Sequence, residues 1–394
     1  MKIAIFHDLS SGGAKRALYE LCRKLFDRGH HLDLFIPDTA NESFIPLDTV
    51  VHSKQIFHIA GARPARDDRP AQWTATAWLM AERCHRHMAA QINRGGYHAA
   101  FVHQSRYPNI PALLRYLNIP SLMYCQEPNR LLYEHAVTDM GSGLRNHPIV
   151  RRIIFSIIHR RNSEEKNIQH ASAVLANSYY SRESILRAYG ISSHINYLGV
   201  NLNLFRPLNL PREPMILTVG AVHPSKGQRF LVESVARIDP SRRPTIVILG
   251  DRGKPGEFER LTNLANHHNV TLSIQSVDDE ELVRYYNRAS IVAVVPYLEP
   301  FGFTPLEAMA CETPVVGIRE GGVRETVVHG KTGILIDRNP QACADALDTL
   351  LKDETMRARM GRAGRQQVEA NWTWDRSADQ LEQIFEQIVK HHQR

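Results

Sequence analysis

No stretch of this chain approaches the about 18 consecutive apolar residues that a membrane-spanning helix needs. The opening Met1-Lys2-Ile3-Ala4-Ile5-Phe6 runs into His7 and Asp8, so it reads as a β-strand rather than a secretion signal. Cysteine is sparse: Cys22, Cys84, Cys125, Cys311 and Cys343 are odd in number, widely spaced and contain no C-x-x-C. That pattern argues against a disulfide framework and predicts reduced thiols in a cytoplasmic protein. Asp-x-Asp is absent, which argues against a metal-chelated diphosphate; no metal and no cofactor are expected. Twenty histidines are present, yet none falls in a metal-ligand spacing. The pairs His30-His31, His267-His268 and His391-His392 read as surface residues at helix ends or turns.

What is present is the composition of a globular protein. The chain has 394 residues, 43% hydrophobic and 23% charged, too long for one ordinary core. The net charge of +7 calls for an anionic partner. No zinc-finger spacing, RRM signature or aromatic-studded basic stripe occurs, so nucleic acid is not expected. Phosphate-bearing substrates and a membrane surface are left.

The periodicity reads as strand–helix–strand from the start. Lys2–Phe6 is an apolar run and His7–Gly12 a loop. A helix from Gly13 carries Ala14, Leu18, Leu21 and Leu25 on one stripe, and Gly29 closes it. Leu32, Leu34 and Ile36 form a second strand. Further strands are expected at Ala99–Val102, Ser121–Cys125 and Ala173–Ala176. A proline-bearing linker spans Gly199 to Pro214, after which the rhythm restarts at Ile216–Val219, Thr245–Leu249, Val270–Ile274, Ile291–Val295, Pro314–Gly317 and Gly333–Ile336. A final amphipathic helix from Trp374 places Leu381, Ile384, Phe385 and Ile388 on one stripe. Such βαβ units predict parallel, doubly wound sheets with ligands bound beyond the carboxyl ends of the strands.

Three loops carry candidate chemistry. Pro296-Tyr297-Leu298-Glu299-Pro300-Phe301-Gly302-Phe303-Thr304-Pro305-Leu306-Glu307 follows a strand. Thr304 reads as an N-cap and Pro305 as the first helical residue, so free N–H groups form an anion site. Glu307 then fits a capping box, and it equally fits a carboxylate gripping a ribose diol. Glu299 has no local partner in this reading and faces a ligand. In Val219-Gly220-Ala221-Val222-His223-Pro224-Ser225-Lys226-Gly227, Lys226 is placed to meet a phosphate. Ser10-Ser11-Gly12-Gly13 lacks the full G-x-G-x-x-G pattern, yet its glycine pair at a helix start suits a diphosphate contact.

Together these segments resemble glycosyltransferase family 4, of the GT-B fold, along nearly the whole chain. The carriers are Gly12-Gly13-Ala14 with Arg16, Asn177-Ser178, Tyr189-Gly190, Gly199-Val200-Asn201, Phe205-Arg206-Pro207, the Glu299 to Glu307 spacing, Glu307-Ala308-Met309-Ala310, Pro314-Val315-Val316, Gly321-Gly322 and Gly330-Lys331-Thr332-Gly333. The resemblance implies two Rossmann-like doubly wound domains facing across a cleft. An acceptor-side domain would cover 1–205 and a nucleotide-sugar domain 206–372, with the helix of 373–394 packing back on the first. It also implies transfer with retained anomeric configuration by same-face attack. Glu299 would hold donor-sugar hydroxyls with the backbone of Phe301, Gly302, Phe303 and Thr304, Glu307 the ribose, and Lys226 the diphosphate.

Three departures from the family pattern stand out. Ala221 replaces an arginine, with Arg252 as its expected substitute. Gln126 replaces a histidine; as a catalytic candidate it can donate to a sugar oxygen but not take a proton, a role left to Glu127, to His103 or to no residue. Glu312 replaces a common glycine and reads as neutral. The expected donor is GDP-mannose first, then UDP-glucose or UDP-N-acetylglucosamine. The expected acceptor is a hydroxyl of a glycan, a lipid-linked sugar or a small molecule. A basic amphipathic stretch at 145–161 with Arg145, Arg151, Arg152, Arg160 and Arg161 suits peripheral contact with an anionic membrane or a solvated helix face. The competing functions are a non-catalytic nucleotide-sugar-binding subunit and a GT-B nucleotide-sugar epimerase.

Overall fold

The structure, a computed structural model, describes residues 1–63, 72–73, 75–106, 108–133, 161–251, 253 and 256–394. The chain forms two compact units, Met1–Tyr197 with Ser377–Arg394, and Leu198–Arg376.

The first unit holds a seven-stranded parallel sheet. Its strands are β1 (Lys2–Phe6), β2 (His31–Pro37), β3 (Ser53–Phe57), β6 (Ala99–His103), β7 (Ser121–Tyr124), β8 (Ala173–Ala176) and β9 (His194–Ile195), in the order β3-β2-β1-β6-β7-β8-β9. Between them, β4 (Ala62–Arg63) and β5 (Gln72–Trp73) pair as a short antiparallel ladder. β1, β6 and β7 are buried along most or all of their length, which is why they read as continuous apolar runs. β3 and β9 escaped the sequence reading. β3 is an edge strand with Ser53, Gln55 and Ile56 toward solvent, and β9 is only two residues long.

The helix Gly13–Asp27 buries Leu18, Leu21 and Leu25 on its sheet face. It ends at Gly29 in the left-handed conformation (φ +80°), with the His30 N–H donating to the Leu25 carbonyl. His30 is held rather than free at the surface: its Nε2 lies 2.7 Å from Glu382. The final helix, Trp374–His392, places Ser377–Arg394 with this first unit. Leu381, Ile384, Phe385 and Ile388 are buried, and Phe385 meets Phe101 edge-on at 5.6 Å. Asn196 Nδ2 donates to the Ser377 carbonyl at 2.8 Å, fixing the helix start.

The second unit holds a six-stranded parallel sheet ordered β12-β11-β10-β13-β14-β15. The strands are β10 (Glu213–Val219), β11 (Thr245–Leu249), β12 (Leu272–Gln275), β13 (Ala289–Val294), β14 (Val315–Ile318) and β15 (Gly333–Ile336). Its core includes Ile216, Leu231, Ile246, Ile291, Val316 and Leu347. In both sheets the order reverses beside the first strand, between β1 and β6 and between β10 and β13. Those switch points are where the loops diverge and leave room for a ligand.

Glu312, read from sequence as neutral, is not. Its φ is +55°, a left-handed conformation that a side chain with a Cβ adopts at a cost. Its carbonyl packs so tightly on Gly361 that a Cβ there would lie 2.0 Å away. All five cysteines are buried free thiols. Among the described residues no helix is long and apolar enough to cross a membrane.

Candidate functional site

In the second unit the loops after β10, β13 and β14 converge on one spot. After β13 the chain turns through Pro296, Tyr297 and Leu298, the last at φ +49°, to reach Glu299. Glu299 is not the partnerless carboxylate expected: its Oε2 accepts from Lys226 Nζ at 2.9 Å. The two side chains are about a third and a fifth exposed, so the pair is open to solvent.

Backbone proximity makes this meeting happen. The Tyr297 N–H donates to the Ser225 carbonyl at 2.8 Å. Gly227, at φ +70°, lies so close to the Val295 carbonyl that a Cβ would sit 2.0 Å from it. Gly321 and Gly322 press on Glu299 and Pro300 in the same way, and the Gly322 N–H donates to the Glu299 carbonyl at 2.8 Å.

The helix behind this loop starts earlier than expected. It runs Phe303–Ala310 with Gly302 as N-cap at φ +88°, and no side chain caps it. The predicted capping box of Thr304, Pro305 and Glu307 does not form. Gly302 lets the chain enter the helix from a backbone conformation closed to other residues, so Thr304 and Glu307 fall too far along to cap. Glu307 is buried instead, and its Oε2 accepts from the Tyr286 hydroxyl at 2.7 Å. Burial, then the Glu307 charge, pushes the Tyr286 hydroxyl well above its usual range; Thr304 hydrogen-bonds the same hydroxyl. Phe301 is buried, edge-on to Phe303 and tilted against Trp372, both at 5.7 Å. Arg252, the expected second cation, lies outside the described residues. So do Arg145, Arg151, Arg152 and Arg160, while Arg161 pairs with Glu165 at 2.8 Å.

In the first unit Gly12 is the N-cap of the helix Gly13–Asp27, at φ +128° and without a side-chain cap. The first turn carries a group the sequence reading missed. Lys15 is fully buried, 3.1 Å from His7 Nε2 and in contact with Glu42 Oε1. Burial drives the His7 pKa down to about 4 and lowers that of Lys15. Burial raises Glu42, but the hydrogen bond from His7 and the His7 and Lys15 charges outweigh it and hold the carboxyl at about 2.

His103, expected to contact a sugar, is enclosed by Phe101 at 4.6 Å and Tyr124 at 5.3 Å. Neither ring nitrogen has a hydrogen-bond partner among the described residues. Burial, then the His7 and Lys15 charges, drives its pKa far down, so the ring is neutral. Gln126 is buried: its N–H donates to Gln104 Oε1, and its carbonyl accepts from Ser181 Oγ at 2.7 Å. Its side-chain amide reaches the Ala14 carbonyl at 3.4 Å. Glu127 Oε2 pairs with Arg130 at 2.9 Å.

A cavity of about 350 Å³ opens at this sheet's switch point, lined by Asp8, Ser10, Gln104, Arg106, Glu127 and Arg130 among others. Asp8 accepts from Thr39 Oγ1 at 2.9 Å and the Arg106 N–H at 3.3 Å. Burial nevertheless raises its pKa to about 7. Asp8 and Arg106 carry no motif, and only the topology brings them beside Glu127.

Two doubly wound parallel sheets, each with a polar loop cluster at its switch point, define the class: an α/β protein of the GT-B fold. The model described as "Glycosyltransferase Family 4" matches residues 11–204, and that described as "Glycosyl transferases group 1" matches residues 202–367. The chain belongs to glycosyltransferase family 4. It is 32% identical over 250 residues to the D-inositol 3-phosphate glycosyltransferase of Corynebacterium diphtheriae, covering 57% of this chain and 58% of that one. To the D-inositol 3-phosphate glycosyltransferase of Xylanimonas cellulosilytica it is 28% identical over 407 residues, covering 96% and 93%. The match therefore spans less than two thirds of the first relative and nearly all of the second. The sucrose-phosphate synthase of Thermosynechococcus elongatus shares the fold, with a TM-score of 0.76, 99% of each chain covered and 23% identity.

Proposed function

We propose that this chain transfers a hexose from a nucleoside-diphosphate sugar to a hydroxyl acceptor, with retention and without metal. The observation behind this reading is the Lys226–Glu299 pair, 2.9 Å apart at the β10/β13 switch point. One cation and one anion lie where a strand-end ligand would present a diphosphate and a sugar.

In this reading Lys226 leaves Glu299 to neutralise the diphosphate. Glu299 then accepts hydrogen bonds from sugar hydroxyls, helped by the backbone of Phe301, Gly302, Phe303 and Thr304. Glu307, fixed by Tyr286, holds the ribose. As the glycosidic bond to the diphosphate breaks, the acceptor hydroxyl attacks the same face and gives its proton to the leaving phosphate oxygen. Charge on that oxygen is stabilised by Lys226 and the N–H groups of the Phe303 helix. In the first unit, Gln126 and Glu127 would face the acceptor. His103, enclosed and neutral, would act by packing alone.

The relatives are named for D-inositol 3-phosphate, which favours a small phosphorylated polyol over a lipid-linked glycan as acceptor. Their names give no reason to rank GDP-mannose ahead of the uridine-linked sugars. Incubation with GDP-mannose, UDP-glucose and UDP-N-acetylglucosamine tests the reading. One donor should release its nucleoside diphosphate slowly alone and faster with inositol phosphate. If none does so, the chain is a binding subunit; a donor converted to its epimer with no diphosphate released would make it an epimerase.

A further inference from the structure

The loop that carries Glu299 has little backbone regularity of its own. Pro296 has no N–H to give, and Leu298 sits in a left-handed conformation at φ +49°. Besides the Tyr297 N–H bond to Ser225, a further hold comes from beyond β15. Arg338 donates from Nη1 to the Val295 carbonyl at 3.0 Å and from Nη2 to the Pro296 carbonyl at 2.7 Å. Its guanidinium carbon lies 3.8 Å from the centre of the Tyr297 ring. The adjoining edge of the guanidinium is gripped by Glu320, with Nε to Oε1 at 3.0 Å and Nη2 to Oε2 at 2.7 Å. Glu320 adjoins Gly321-Gly322, whose second N–H donates to the Glu299 carbonyl at 2.8 Å. One network therefore fixes the loop at 295–297 and again at 299. It also bounds the neighbouring loop: Arg338 Nη1 lies 3.5 Å from where a Cβ on Gly227, next to Lys226, would sit.

Resting on the reading that Glu299 meets the donor sugar, we infer that Arg338 is a positioning residue that aims this carboxylate. Only a planar guanidinium fits the role. It forks to two carbonyls, pairs with a carboxylate and stacks on a ring at once, which an ammonium group cannot do. The role is distinct from holding the nucleotide, because Arg338 reaches the loop backbone and not Lys226 itself.

A double-mutant cycle tests this. Arg338→Lys, Arg338→Met and Glu299→Gln, singly and combined, are assayed for turnover of the active donor among GDP-mannose, UDP-glucose and UDP-N-acetylglucosamine. Affinity for the matching nucleoside diphosphate alone and thermal melting are measured alongside. Each Arg338 variant should lose about tenfold or more in kcat, while nucleoside diphosphate affinity moves by less than about threefold. In the Glu299→Gln background the same change should cost less than about threefold, because the two residues act as one unit. Equal losses in both backgrounds, or a matching loss of nucleoside diphosphate affinity, would overturn the inference. If Glu299→Gln slows turnover and the Arg338 variants do not, the inference fails and the donor-site reading stands. If Glu299→Gln leaves turnover intact, both fall. Glu320→Gln, which loosens Arg338 without removing it, carries the same test should the Arg338 variants not fold.

Discussion

Glu307 and Glu299 share a loop-to-helix segment, yet substitution should separate them cleanly. Glu307 is buried against the Tyr286 hydroxyl, so Glu307→Ala takes the charged acceptor from that hydroxyl in the interior and leaves it to Thr304. The expected loss is about 1–3 kcal/mol, read as a lower melting midpoint, and Tyr286→Phe should cost at least as much because it takes a donor from the buried Glu307 carboxylate. Glu299 is paired only in the open, where such a bridge contributes about 0–1 kcal/mol. Glu299→Gln should therefore leave the melt nearly unchanged while impairing transfer. Equal destabilisation by the two changes would contradict the assignment. Asp8 supplies a pH prediction. Its carboxyl titrates near 7 in the folded chain, above its ordinary 3.8, so it binds its proton more tightly when folded. Its penalty on stability is absent below the unfolded value, grows as pH rises from 3.8 and is complete above about 7. Asp8→Asn should thus stabilise the first unit more at pH 8 than at pH 5, and a pH-independent difference in melting would refute this.

At the scale of elements, strands were easier to read than helix starts. β1, β6, β7, β11 and β13 announce themselves because both sheet faces are covered. β3 hides because an edge strand shows solvent-facing Ser53 and Gln55. The Phe303 helix start was misread because Thr304-Pro305 is good local capping grammar. Gly302 overrode it with a φ of +88° that opens the helix two residues sooner than Pro305. Glu312 was misread for a related reason: left-handed φ is a tertiary demand, invisible in a side chain's type. Glu312→Gly should relieve that strain and raise stability by about 0.5–1 kcal/mol after the extra backbone entropy of glycine. A lower melting temperature for this variant would show that the Glu312 side chain compensates elsewhere.

Across the whole molecule, the two-sheet plan and the family were legible because a long ordered run of glycine turns and the Glu299 to Glu307 spacing survive in sequence. The partners that complete each site were not. Tyr286 lies 21 residues before Glu307, Arg338 lies 39 beyond Glu299, and Glu42 lies 27 beyond Lys15. The parallel topology, which returns every strand's carboxyl end to the same edge, brings the last two pairs together, whereas Tyr286 reaches Glu307 from the helix Asp279–Arg288 that precedes β13.

In the proposed reaction Lys226 and Glu299 divide a nucleotide sugar between them. Thermal melting of the wild type, Lys226→Met and Glu299→Gln against UDP, GDP and ADP and their sugar conjugates tests it directly. One nucleoside diphosphate at 100 times its dissociation constant should add about 2.7 kcal/mol, a shift of roughly 5–10 °C for a unit of this size. Lys226→Met should shrink that shift, whereas Glu299→Gln should keep it and lose only the increment due to the sugar. A shift that none of the nucleotides produces, or one that Lys226→Met leaves intact, would contradict the account.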